Sequence, residues 1–359
     1  MTNSANIFIT NEKSENKTFE YLLWFQPSLG WIVLTNNALD IILDNRYFAK
    51  TKEIDENHIK EITWNNNLKI NYINSRDTVW EIIKIIQDST REISSIILDD
   101  NTLAIDKENI EKETQKEITI LRETFFKEKR IIKNSNELEK IEKAIEIIDK
   151  TFDYITKLNE SWELKWKTEL EIRWIIINKI FEFDWTWESF DAIVAFGANS
   201  ALPHHFTWET IIEDWVLLID MWAKFGWYCS DFTRTFWVWE KNEQYEKFIK
   251  IYEIVKQAHI NAFENTKPWM TGKEIDNLTR EVIEKAWYWE EYIHSTGHWV
   301  GLDIHENPWI SSKSEEKIEN WMVFTIEPWI YLEWEFGIRL EDIVIMKNDK
   351  LIKYTKNLL

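Results

Sequence analysis

Glycine is nearly absent from this chain, with seven in 359 residues against 23 tryptophans. Turns that need positive φ or close backbone approach accept glycine and reject bulky side chains, so so few glycines severely restrict the turns available to a chain this long. Trp stands where local motifs ask for a residue without a side chain, as in Asp214-Trp215, Asp220-Met221-Trp222, Lys267-Pro268-Trp269, Asn320-Trp321 and Glu327-Pro328-Trp329. Our hypothesis is that most of these positions are glycine in the living protein, its source reading UGA as Gly where the written sequence has Trp. Moving every Trp to Gly brings glycine to about 8% of the chain, which is ordinary for a globular protein. The alternative is a chain that is truly rich in Trp.

At 359 residues and 44% apolar content the chain is long enough for two domains, since single cores stop growing at about 250–300 residues. Its formal net charge of −20 argues against a general nucleic-acid footprint or attraction to anionic lipid, so neither partner is expected. A single cysteine, Cys229, excludes an intramolecular disulfide framework and suits a reducing compartment. Met1 to Lys13 carries neither a basic leader nor a continuous apolar run, and no later segment offers about 18 uncharged apolar residues. The expectation is a cytoplasmic, soluble protein.

Short apolar runs at Tyr21–Phe25, Trp31–Leu34, Ile41–Leu43, Ile82–Ile86 and Ile96–Leu98 predict strands with short helices between them, in a mixed α/β domain. From Lys107 to Leu158 the chain is dense in Glu, Lys and Ile without Gly or Pro, and Leu138, Ile141, Ile145 and Ile148 recur at helical spacing. That stretch predicts helix with a solvated charged face, and the change of pattern places a domain boundary near residues 105–125. A weak repeat follows. Trp166-Lys-Thr168-Glu-Leu-Glu171-Ile172 matches Trp269-Met-Thr271-Gly-Lys-Glu274-Ile275, each opening a helical run, which hints at two related halves.

Val216–Ile219 predicts an apolar strand ending in Asp220, and Tyr228–Thr235, carrying Asp231, returns after a turn containing Gly226. Two carboxylates could thus face each other across a hairpin. Later come His298 in Ser-Thr-Gly-His, Glu327 in Thr-Ile-Glu-Pro and Glu341 in Arg-Leu-Glu-Asp. Four carboxylates and one imidazole are a mostly hard donor set able to hold two divalent ions, with shared carboxylates bridging them. Cys229 shares a face with Asp231 by parity, but a lone cysteine reads as a small buried apolar residue.

The chain resembles the pita-bread metallopeptidases, in the branch of aminopeptidase P and Xaa-Pro dipeptidase (prolidase). The resemblance is carried by Phe196–His204, Ile219–Thr235, His294–Glu306, Thr325–Pro328 and Arg339–Asp342, and more weakly by Tyr21–Phe25 and Asp44–Tyr47. It implies an α/β chain: an N-terminal creatinase/prolidase-like domain over 1–118, then a catalytic pita-bread domain over 119–359. By resemblance Asp220 binds one ion, Asp231 and Glu341 bridge it to a second, and His298 and Glu327 complete that second site. A hydroxide between the ions is the expected nucleophile, and Glu327 the expected proton shuttle.

The resemblance further places His204 and His305 as donors to a carbonyl or oxyanion, and His294 and Arg339 on the substrate side. His58, His205 and His259 offer less, and His259 in the helical run Phe248–Phe263 reads as structural. Two divalent ions are implied, Mn first, with Co, Fe or Zn open. The implied substrates are proline-containing peptides, whose tertiary amide lacks the N–H that general peptidases use. Xaa-Pro aminopeptidase is the first reading and prolidase the alternative, in a homodimer. A methionine aminopeptidase shares the ligands without needing the N-terminal residues. Metal-free amidinohydrolases and peptide-binding modules of this fold lose ligands, whereas all five are present here. Trp222, Trp309 and Trp329 depart from the family's glycines and are expected to crowd the site, while Trp299 can be genuine.

Overall fold

The computed structural model describes residues 4–10, 16–99, 102–121, 126–183, 191–292 and 294–356. The chain forms two compact units, residues 1–130 and 131–359. The first holds one six-stranded sheet built from β1 (Ser4–Thr10), β2 (Gly30–Leu34), β3 (Ala38–Leu43), β4 (Lys69–Asn74), β5 (Ser95–Asp99) and β6 (Glu117–Leu121). Strand order is β4-β3-β2-β1-β5-β6, an antiparallel meander in the centre with parallel pairs on either flank. Its helices are α1 (Lys17–Leu23), α2 (Glu56–Ile62), α3 (Thr78–Gln87) and α4 (Ala104–Thr114).

Three of the expected strand runs lie in β2, β3 and β5, but Tyr21–Leu23 and Ile82–Ile86 are helical, in α1 and α3. A short apolar run fits either period, and here the caps decide: Asn16 accepts from Thr18 N and Asp77 from Trp80 N. The stretch from Lys107 to Leu158 is likewise not continuous helix. Gln115, at φ 56°, closes α4, and β6 follows by pairing with β5. The boundary set at 118/119 therefore falls inside β6, which that pairing holds in the first unit.

The second unit begins at the end of α5 (Lys127–Ile131) and continues into α6 (Ser135–Glu160), where Leu138, Ile141, Ile145 and Ile148 form the buried stripe their spacing predicts. The helices α7 (Glu169–Phe183), α8 (Tyr245–Asn265) and α9 (Gly272–Lys285) complete its helical layer. Its strands are β7 (Ile193–Phe196), β8 (Val216–Met221), β9 (Lys224–Phe225), β10 (Tyr228–Cys229), β11 (Phe232–Trp237), β12 (Gly297–Trp299), β13 (Glu306–Ile310), β14 (Val323–Ile326), β15 (Trp329–Leu332), β16 (Phe336–Arg339), β17 (Glu341–Lys347) and β18 (Lys350–Lys353). Eight of them make an antiparallel sheet, β13-β12-β14-β17-β11-β8-β7 with β18 on β17. One apolar cluster packs α6 and α7 onto β7 and β8 of this sheet, and another packs α8 and α9 onto the separate β15–β16 hairpin.

The sequence repeat has a structural counterpart. Trp166 N donates to Ile212 O and Ile212 N to Lys167 O, just as Trp269 N donates to Ile318 O and Ile318 N to Met270 O. Glu169 N to Thr210 O matches Gly272 N to Glu316 O, and each helix opens on a reciprocal Thr–Glu cap, Thr168 with Glu171 and Thr271 with Glu274. The two halves of this unit start their helices by the same hydrogen bonds.

Among the described residues fourteen non-glycine positions have positive φ, and ten are Trp: 24, 64, 162, 166, 227, 239, 269, 287, 321 and 334. A left-handed backbone costs an L-residue roughly 1–2 kcal/mol, which glycine avoids. Trp227 is the sharpest case. With Gly226 it forms the two-residue turn of the β9–β10 hairpin, at φ 52° and 75°, where the turn needs positive φ at both positions. Other Trp positions have ordinary φ, including Trp215, Trp222, Trp299, Trp309 and Trp329. Trp31, Trp215 and Trp299 instead bury indole N–H groups without a hydrogen-bond partner, uncommon for Trp. Trp185 and Trp187 lie outside the described residues.

Candidate metal centre

The centre is built on the register of three adjacent strands. Thr233 of β11 lies opposite Asp220 of β8 on one side and Glu341 of β17 on the other. Side chains two residues apart share a face, so Asp231, just before β11, projects with Thr233. The two aspartates therefore do not oppose each other directly; Asp220 faces Thr233, and Asp231 stands one step further along the same face. Thr233 Oγ1 donates to Glu341 Oε2 at 2.6 Å and accepts from Arg339 Nε at 3.1 Å. Arg339 also donates to Asp220 Oδ2 and, at 2.6 Å, to the hydroxyl of Tyr331.

His298 reaches this face from β12. A Cβ on its neighbour Gly297 would lie 2.1 Å from Thr325 O, so only glycine lets β12 come this close to β14. His298 Nδ1 faces the Trp299 carbonyl at 3.1 Å, which fixes that nitrogen as the protonated donor and leaves Nε2 a lone pair. Nε2 points between Asp231 Oδ2 at 3.5 Å and Glu327 Oε1 at 3.4 Å. Burial holds His298 neutral, with its pKa pushed down to about 3. Glu327 follows β14 directly, its N–H donating to Thr296 O at 2.8 Å.

All nine candidate residues, His204, Asp220, Asp231, His294, His298, His305, Glu327, Arg339 and Glu341, line one cavity of about 1000 Å³. The His305 ring stands 4.4 Å from that of His298, and His294 packs on Trp329 at 5.2 Å. Tyr331 also lines the cavity, and no motif in the sequence singled it out. Of the Trp residues expected to crowd the site, Trp309 and Trp329 line the cavity, whereas Trp222 is buried in the fold and does not. His259 lies buried 3.2 Å from Asp342, which Arg234 and Lys353 also contact. Cys229 is buried, its thiol donating to Leu302 O at 3.6 Å and its backbone N to Gly301 O.

The donor set fits divalent cations. Ligand atoms of Asp231, His298 and Glu341 all lie within 4.8 Å of one another, and Asp220 Oδ1 is buried without a hydrogen-bond partner. Burial raises the pKa of each carboxylate, and the acids raise one another: Asp220 and Glu327 act on Asp231, and Asp231, Glu327 and Asp220 on Glu341. Glu327 is pushed up to about 7 by burial foremost, with Arg339 opposing. A cluster of mutually repelling buried acids facing a neutral imidazole is relieved by positive charge placed among them.

The model of metallopeptidase family M24 matches residues 139–348. The chain belongs to that family. It is 30% identical over 358 residues to a putative Xaa-Pro aminopeptidase of Mycoplasma genitalium, covering 99% of this chain and 94% of that one. With the Xaa-Pro dipeptidase of Pyrococcus furiosus it shares 38% identity over 278 residues, 74% of this chain and 76% of that protein. The solved X-Pro aminopeptidase of Thermotoga maritima superposes with a TM-score of 0.84 at 28% identity, covering 99% of this chain and 96% of that one. As an M24 member the protein is a metal-dependent hydrolase with the pita-bread fold. No helix among the described residues is long and apolar enough to cross a membrane.

The raised carboxylates set a pH dependence. Each has a folded pKa above its unfolded value, so the metal-free fold is favoured by protonation and loses stability as pH rises, for Glu327 between about 4.5 and 7. Divalent ions oppose that loss. Occupancy at 100 times the dissociation constant adds about 2.7 kcal/mol per ion, or roughly 5–10 °C in Tm. Calorimetry with and without chelator should show that difference at pH 7 and a smaller one at pH 4; equal melting at pH 7 would count against cation binding.

Proposed function

We propose that this chain is a two-ion exopeptidase that hydrolyses the bond between an N-terminal residue and proline. The observation that carries the reading is the convergence of the five candidate ligands and four candidate substrate-side residues on one cavity. Asp220, Asp231, His298, Glu327 and Glu341 would hold the ions, with Asp231 and Glu341 shared between them. When bound, such ions supply an acidified water and polarise the scissile carbonyl.

The protein's own groups do the rest. Glu327, with a pKa near 7 and 19% of its side chain exposed, is suited to take a proton and return it to the prolyl nitrogen as the C–N bond breaks. His204 and His305 donate to the carbonyl oxygen as it becomes negative, and burial favours neutral His305. Arg339 keeps Asp220 oriented and ties it to Tyr331, while His294 lines the substrate side. Four carboxylates with one imidazole suit Mn²⁺, and Co²⁺, Fe²⁺ and Zn²⁺ accept the same donors. A homodimer in the cytoplasm completes this reading, a reducing compartment suiting a chain with a single, buried cysteine.

Relatives carrying both names leave dipeptidase action as the second reading. Matched peptides separate them. The protein should cleave Ala-Pro-Ala on the order of 100-fold faster than Ala-Ala-Ala. Faster cleavage of the dipeptide Ala-Pro than of Ala-Pro-Ala would select prolidase action, and no cleavage of either proline peptide by metal-loaded protein would overturn the proposal.

A further inference from the structure

The segment that carries His204 into the cavity is fastened by one buried carboxylate from outside the site. Glu169, at the start of α7, has a side chain with no solvent exposure. Its Oε1 accepts from Phe196 N at 2.8 Å and Asn199 Nδ2 at 2.9 Å. Its Oε2 accepts from His205 Nε2 at 2.8 Å and Trp208 N at 3.2 Å. All four donors belong to residues 196–208, so a single group grips the segment at its start, at its end and at the residue beside His204. His204 itself is exposed to the cavity and gets its aim from this backbone.

We propose that Glu169 is a positioning residue for His204, holding the 196–208 segment so that the imidazole meets the substrate carbonyl. The inference rests on the reading of His204 as a donor to that carbonyl.

The internal repeat argues against a purely architectural role. Gly272 occupies the place of Glu169 in the other half, where the same helix start forms with the same backbone bonds and no carboxylate. Helix initiation in both halves is served by the Thr–Glu caps, so the fold does not need an acid at this position. A buried ionised carboxylate is costly unless its lone pairs are filled. Burial pushes Glu169 up, yet its hydrogen bonds from His205, Asn199, Phe196 and Trp208 prevail and hold it below the usual carboxylate range. The charge is thus kept for what it binds, which is the His204 segment.

A double-mutant cycle tests this in the full-length, metal-loaded protein made with the residues its source inserts. Glu169→Gln keeps the size but turns an NH₂ toward donors, and His205→Leu removes one donor while leaving Glu169 in place, in case the first variant folds poorly. Each should lower kcat/KM for Ala-Pro-Ala by about 10- to 100-fold, mostly in kcat, with metal content unchanged. In a His204→Ala background neither should lower it further. Multiplicative losses in that background, or wild-type kinetics for both single variants, would overturn the positioning role. Wild-type kinetics for His204→Ala alone would instead strike the reading of His204, and with it this inference.

Discussion

Made with glycine at the ten left-handed Trp positions, the chain is expected to fold cooperatively; made as written, it is expected not to. Ten left-handed Trp residues at roughly 1–2 kcal/mol each sum to about 10–20 kcal/mol, against a total stability of about 5–15. The most exposed gain little burial in return, since Trp64 and Trp334 are each 84% exposed. Trp227→Gly alone should raise stability by about 1–2 kcal/mol, read as a shift in the urea midpoint at constant slope. Peptide mass spectrometry of the protein from its source, covering residues 215–227 and 321–334, should find glycine at 227, 321 and 334. A soluble written chain with an ordinary cooperative transition would contradict this account of the turns.

The second large effect falls on the shared carboxylates. Asp231→Asn and Glu341→Gln should each lower kcat by about 1000-fold or more, because several kcal/mol of transition-state stabilisation depends on the ions they would bridge. Stability of the metal-free protein should move the other way. Removing one charge from acids that raise one another's pKa relieves repulsion, so chelated protein should melt several degrees higher in either variant at pH 7. An ordinary core polar residue would show the reverse, with loss of stability and little specific loss of turnover. Melting curves under chelator, taken beside kcat, distinguish the two.

The candidate site was legible because each of its residues sits in its own short motif, and the antiparallel register brings those motifs together. Asp220 at a strand end and Glu327 before proline could be read singly, and one sheet face unites them. Thr233 was less visible: its place between Asp220 and Glu341 follows from a three-strand register that one segment cannot show. Tyr331 reaches the cavity through its bond to Arg339 and has no local signature. Glu169 was hidden for a similar reason, since its four partners come from residues 196–208. In the first unit, short apolar runs left strand and helix undecided, and the caps at Asn16 and Asp77 settled Tyr21–Leu23 and Ile82–Ile86 as helix. The β6 strand was masked by the charged composition around it, where only Ile118 and Ile120 carry an alternating signal.

The central claim is that the buried acid–imidazole cluster is a two-ion hydrolytic centre. The most direct measurement counts divalent ions per chain while following Ala-Pro-Ala hydrolysis as chelator removes them and Mn²⁺ restores them. The account predicts two ions per chain at full activity, loss of turnover as they leave and recovery on their return. Hydrolysis that persists with less than one ion per chain would contradict it.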